Sequence, residues 1–209
     1  MPHDDFAVEP IKGLPGIPPE GEDILWQGRP NWWALSKDSL NMYWIFAYFM
    51  VLALWRFTSL YDLTGTGHAF ALASPLIIAG VATCAILALF AYIQARCTIY
   101  TITTKRVVLR IGAAFSIAIN LPYSRLSNAT LALRKDGTGT IALELSEPRK
   151  FSFFVLWPHS RPWKFTHPEP ALRSIDNAKE VALILSEAAK TEVNAPKISK
   201  TSDAIVVAE

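Results

Sequence analysis

Charged residues are missing from two stretches of this chain. Positions 39–55 and 63–95 hold no Asp, Glu, Lys or Arg, and only Arg56 and Asp62 are charged between them. The first run is close to, and the second longer than, the ~20 apolar residues that cross ~30 Å of hydrocarbon as a helix. The pattern predicts a transmembrane hairpin, with spans at 39–57 and 75–95. Trp32, Trp33, Tyr43 and Trp44 crowd the start of the first span; Trp55, Phe57 and Tyr61 crowd its end. Trp and Tyr favour the two membrane interfaces. Ser74-Pro75 reads as the cap and first turn of the second helix. Gly65, Gly67 and His68 fall in the connecting loop.

Lys and Arg set the orientation. Arg29 and Lys37 precede the first span, and Arg96, Lys105, Arg106 and Arg110 follow the second. The loop carries only Arg56. This asymmetry predicts a multi-pass membrane protein with both termini in the cytoplasm.

Beyond Arg96 the period changes to that of short strands. The β-branched runs 97–103, 106–111, 115–121, 126–133 and 140–145 are separated by Thr104-Lys105, Gly112-Ala113 and Asp136-Gly137, which are turn signals. They predict a meandering antiparallel sheet or barrel. An aromatic, Pro-rich segment follows, in which Trp163 to Thr166 reads as one more strand. Asp176 reads as a helix N-cap, and Val181, Ile184, Leu185 and Ala188 share one helical face. The expected fold class is a membrane α-helical hairpin plus an α+β domain, its sheet or barrel closed by a C-terminal helix.

The expected divisions are a flexible Pro-rich arm at 1–23, a pre-membrane segment at 24–38 and the hairpin at 39–95. A cytoplasmic domain at 96–190 and a disordered tail at 191–209 follow. The start lacks the basic and apolar regions of a signal peptide.

Composition narrows the chemistry. The chain has 209 residues, 51% hydrophobic, and a formal net charge of +2. That charge gives no basis for a nucleic-acid partner. In one helix Cys84 and Cys97 would lie about 20 Å apart at 1.5 Å per residue, too far for a disulfide. His3, His68, His159 and His167 have no companion at metal-ligand spacing, and no Walker, Rossmann or nucleophile-elbow motif occurs. The expectation is no enzyme, no metal and no cofactor. Neither span has a His in its core to ligate a pigment.

Two groups of residues are candidate contacts. Arg96, Lys105, Arg106 and Arg110 follow the membrane exit, where each basic residue gains about 1 kcal/mol from anionic lipid. The segment Phe151 to Phe165 is rich in the residues of binding hot spots, which makes Trp157, Arg161, Trp163 and Phe165 partner-binding candidates. The same rings can instead complete the domain core or lie on the bilayer. Ala79, Gly80, Ala82 and Ala85 can let helices approach closely, so a homo-oligomer is possible.

Several segments carry a family resemblance. Glu22-Asp23-Ile24-Leu25-Trp26-Gln27-Gly28-Arg29-Pro30, ahead of a hairpin, resembles the opening of bacterial pleckstrin-homology (PH) membrane proteins. Ile99-Tyr100-Thr101-Ile102-Thr103-Thr104-Lys105-Arg106-Val107-Val108 resembles the first hairpin of that PH domain. With Gly13-Leu14-Pro15, Trp32-Trp33-Ala34-Leu35 and Arg161-Pro162-Trp163-Lys164-Phe165, the chain is similar to the PuhB-like photosynthetic complex assembly proteins of purple bacteria. The resemblance covers roughly residues 13–189. It implies a PH-like domain and a non-enzymatic assembly factor for the reaction centre and core light-harvesting antenna. Its partners would be subunits of those complexes and membrane lipids. A general bacterial PH-domain membrane protein is the alternative. Some members carry a third hydrophobic segment; here Phe151 to Trp157 is too short to span. The opening segment is expected to tie arm to domain, with Leu25, Trp26 and Arg29 packing on the PH sheet.

Overall fold

The computed structural model describes residue 11 and residues 13–112, 116–147, 152–162 and 164–194. Strand β1 (Ile24–Gly28) and helix α1 (Trp32–Asp38) precede the long helical element α2 (Met42–Cys97). Strands β2 (Ile99–Thr103), β3 (Arg106–Ile111) and β4 (Ile117–Pro122) follow. A 3-10 turn (Tyr123–Arg125) leads to β5 (Leu126–Leu133) and β6 (Gly139–Leu145). The chain ends in a one-turn helix α3 (Phe153–Leu156), strand β7 (Ala171–Ile175) and helix α4 (Ala178–Asn194).

The element α2 is two helical arms joined at Gly65, whose φ of 73° and ψ of 165° break the helix. That region is open to Gly because it has no Cβ. The arms fold back on each other. Arg56 Nε donates to the Leu72 carbonyl at 3.0 Å, and Cys84 Sγ lies 3.9 Å from the Met42 carbonyl oxygen. A Cβ on Gly80 would meet that of Phe49 at 2.8 Å. On a straight rod Met42 and Cys84 would be about 60 Å apart at 1.5 Å per residue. The midpoint of each pair in sequence falls within two residues of Gly65, so the reversal is there.

This corrects the expected loop and the bounds of the two helices: residues 58–64 and 66–74 are helical, and the two arms meet at Gly65 in one kinked element. Pro75 lies inside the helix rather than at its start. Proline has no N–H for the Ala71 carbonyl. The Ser74 hydroxyl donates to that oxygen instead, at 2.9 Å. Among the described residues, α2 is the one helix long and apolar enough to cross a membrane by length and composition.

The domain is built from two antiparallel sheets, ordered β1-β2-β3-β4 and β5-β6-β7. Among the described residues, hydrogen bonds do not join them into a closed barrel. Between them lies a core of Tyr100, Ile102, Leu109, Leu121, Ile141, Leu143 and Leu172, onto which α4 places Val181, Leu185 and Ala188. Burying a Val or Leu side chain contributes about 1.5–3 kcal/mol, so α4 is held by this face. It begins at Ala178, and the residue read as its cap, Asp176, instead accepts from Asn31 Nδ2 at 3.0 Å. Strand β7 was not expected, and Lys164 to Thr166 form no strand. Trp163 lies outside the described residues.

The arm is packed rather than loose over its described part. Every residue of β2 is buried. Tyr100 and Ile102 face the core, and the alternate residues are covered by the arm. Gly13 approaches Ile99 so closely that a Cβ would meet its Cγ2 at 2.5 Å. Leu14 is buried. Gln27 Nε2 donates to Thr101 Oγ1 at 3.0 Å, and Thr103 Oγ1 donates to Glu22 at 2.8 Å. Strand β1 itself pairs with β2, Gly28 opposite Tyr100 and Gln27 opposite Thr101. The whole of α2 is therefore inserted between two neighbouring strands.

Candidate functional site at the base of the hairpin

Two segments converge on the last two turns of α2. From α1, Trp32 meets Tyr92 edge-on at 6.2 Å between ring centroids. After α3, Trp157 stacks on Phe90 at 5.7 Å, with the rings 25° apart. The Arg96 guanidinium lies 5.2 Å above the Tyr92 ring. Asn31 starts α1 because its Oδ1 accepts from the N–H groups of Trp33 and Ala34, both at 3.1 Å. Lys37, in the last turn, lies over the Trp33 ring at 5.8 Å.

Behind these rings lies a polar network that sequence reasoning missed. Strand β7 carries a register irregularity against β6, and Ser174 there has a φ of 52°. The backbone bends, and both Arg173 and Ser174 engage α1. The Ser174 carbonyl accepts from Asn31 N–H at 2.7 Å. Its hydroxyl donates to Asp38 Oδ2 at 3.2 Å, and Arg134 also pairs with Asp38. Arg173 donates to the carbonyls of Ser160 at 3.1 Å and Asp38 at 3.4 Å. Burial raises the Asp38 carboxyl above its usual range despite Arg134, and burial lowers Arg173 despite Asp38.

His159 closes the network. Its Nδ1 lies 2.6 Å from the Tyr100 hydroxyl and its Nε2 lies 3.0 Å from Thr98 Oγ1. The Tyr100 oxygen already accepts from Arg173 N–H at 3.2 Å, so its proton is available for Nδ1. Nε2 then carries the ring proton and donates to Thr98, which caps the end of α2. Burial first, and the Arg173 charge second, depress the imidazole pKa to about 3. Burial raises that of Tyr100. The ring is neutral and structural. Its only sequence signal was an isolated His in a Pro-rich segment.

The other expected site residues are placed as follows. Lys105 is exposed at the tip of the β2–β3 turn, about 17 Å along the strand from the end of α2 at ~3.3 Å per residue. Arg106 is turned inward: its Nε and Nη2 reach the two oxygens of buried Glu22 at 2.7 and 2.8 Å. Burial alone would raise the Glu22 pKa; the hydrogen bonds from Arg106 and Thr103 outweigh it and hold the carboxyl below its usual range. Arg110 is half-buried opposite Ile99, back at the hairpin base. Thus Arg96 and Arg110 lie at that base, and Lys105 and Arg106 do not. Leu25 and Arg29 are exposed, while Trp26 packs against the core.

In the aromatic segment, Arg161 and Lys164 both grip Glu169, Arg161 Nη1 at 3.0 Å. Burial works against the Glu169 charge, but these two cations lower its pKa. Phe165 packs on Phe153 at 4.8 Å and remains 61% exposed. Among the described residues, no group of three or more His, Cys, Asp or Glu can hold a metal ion. The geometry offers an aromatic and cationic surface around one helix end.

Comparison with known proteins adds the following. Residues 47–189 match the family model described as bacterial PH domain. The chain is 41% identical over 214 residues, 100% of each chain, to a Rhodobacter capsulatus protein called "Uncharacterized 23.7 kDa protein in puhA 5'region". No solved structure matches. The match covers more than half of the chain and both sheets except β1, so the protein belongs to the bacterial PH domain family.

Proposed function

We propose that this protein is a non-enzymatic membrane scaffold that assists assembly of the photosynthetic reaction centre and its core light-harvesting complex in a purple phototroph. The hairpin anchors it in the inner membrane. The PH-like domain sits against the cytoplasmic surface, where it meets the client. The observation that carries the membrane part is the exposure of large apolar side chains along both arms, such as Trp44 at 78% and Ile86 at 66%. Apolar surface of that extent requires an apolar medium. The β1–β2 pairing supports the topology, because it requires both ends of the hairpin to lie on one side. The Lys and Arg asymmetry makes that side cytoplasmic. The photosynthetic part is supported by the full-length relative in the puhA region.

Deleting the gene in a phototrophic host tests the proposal. Near-infrared absorption of the membranes should show less core complex. The complexes that do form should keep their spectra and turnover, since a scaffold contributes no catalytic group. Normal core-complex levels under phototrophic growth would overturn the assembly role. A general PH-domain membrane protein, unconnected with photosynthesis, would then be the better reading.

A further inference from the structure

The α3 turn and Phe165 form an apolar patch that the other described residues leave uncovered. Phe154 is 88% exposed. Phe153 touches both Phe154, at 6.2 Å, and Phe165. Val155 and Trp157 are also exposed. We infer that this patch lies in the bilayer interface beside the hairpin, as a second membrane contact that fixes the tilt of the PH-like domain. The inference rests on the reading of α2 as membrane-embedded.

Position argues for lipid as the occupant. Trp157 stacks on Phe90, seven residues before the end of α2, or about 10 Å along its axis at 1.5 Å per residue. The patch therefore continues the exposed apolar face of α2, which at this level includes Ile86 and Leu89. Whatever medium covers those side chains also bathes Phe154. The depth is marked independently. Tyr92 with Arg96 above it, and Trp32 from α1, surround the same two turns. Trp and Tyr collect at the headgroup level, and Arg near a helix end reaches out to it. Three rings from three segments thus define one plane. The rim of the patch has the matching charge: Arg161 and Lys164 set two cations against the single carboxylate of Glu169. Anionic headgroups suit that excess.

Nitroxide depth measurements on the full chain test this. In a Cys84→Ala, Cys97→Ala background, single labels are placed at Phe154→Cys, at Ile86→Cys on the hairpin and at Lys179→Cys on α4. All three positions are exposed, so none of the changes removes core packing. The protein is reconstituted into phosphatidylethanolamine–phosphatidylglycerol vesicles. Collision with oxygen is compared with collision with a water-soluble nickel complex. The oxygen-to-nickel ratio at 154 should exceed that at 179 several-fold, as it should at 86. A water-like ratio at 154 with a lipid-like ratio at 86 overturns the inference and leaves the hairpin anchor standing. Water-like ratios at both positions overturn the membrane reading as well. A label at 154 shielded from both reagents overturns it in favour of a protein partner on the patch.

Discussion

The Tyr100 hydroxyl and His159 Nδ1 are 2.6 Å apart, between the first strand after the hairpin and the aromatic segment. Burial of the imidazole in this contact makes stability depend on pH. The native imidazole has its pKa depressed to about 3 by burial and by Arg173. On unfolding it returns to about 6.5. The unfolded state therefore binds the proton first as pH falls. Stability from this group is complete above pH ~6.5 and declines from there toward pH ~3, by about 1.4 kcal/mol per unit within the window. Unfolding midpoints in detergent should drop between pH 7.5 and pH 5. His159→Gln, which can still pair with Tyr100 and Thr98, should flatten that drop. An equal pH slope in the variant would refute the assignment.

The buried pair of Glu22 and Arg106 should hold the arm to the domain. Glu22→Ala strands the Arg106 guanidinium, while the Thr103 hydroxyl keeps the Arg106 carbonyl as an acceptor. The loss should be about 1–3 kcal/mol, the range for an orphaned, partly buried charged hydrogen bond. Denaturant midpoints of wild type and variant give the difference. Because the native Glu22 pKa is lowered, this contribution is present at neutral pH and is lost as pH falls through the native pKa. A variant as stable as wild type would show that the arm contributes nothing.

The fold-back of α2 can be tested chemically. Met42→Cys should cross-link to Cys84 with a short bifunctional thiol reagent, since the Met42 backbone lies 3.9 Å from Cys84 Sγ. A straight helix would hold these residues about 60 Å apart. Failure to cross-link in membranes, with both thiols reactive to a monofunctional reagent, would rule out the reversal at Gly65.

Leu87→Arg should block insertion. An Arg near the centre of a span costs about 2.5–3.5 kcal/mol on insertion scales. The expected result is low membrane abundance on immunoblots. Normal abundance with unchanged topology would place Leu87 outside the hydrocarbon. A reporter active only in the periplasm, fused beyond Asn194, should stay silent; strong activity would reverse the orientation.

Local patterns made part of this fold legible. Strands β3 and β5 lie where their β-branched and apolar runs lie, because each is a continuous segment between turn residues. What escaped was non-local or hidden by a local exception. Strand β1 is five residues whose partner lies beyond the entire hairpin. Strand β7 has its alternation broken at Arg173 and Ser174 by the bulge. Gly65 was visible as a breaker, but a single Gly was enough to turn the chain, so no loop was needed. At the candidate site, the aromatic and basic residues could be picked out singly. Their grouping could not. Arg106 looked like a lipid contact, yet a carboxylate 84 positions earlier claims it.

The pairing of β1 with β2 across α2 also imposes an order on synthesis. Strand β1 leaves the ribosome first and waits, without its neighbour, until both arms of α2 and then β2 have been made. Closing so long a loop adds an entropic cost that grows only slowly with length. With α2 embedded as proposed, returning the two ends to the same membrane face is the step that matters. A chain whose hairpin fails to insert, or inserts with its ends on opposite faces, leaves β1 unpaired and the outer side of β2 bare. On that reading, the sheet is completed only in chains whose hairpin has returned both ends to one face, and a misthreaded chain keeps an open strand edge.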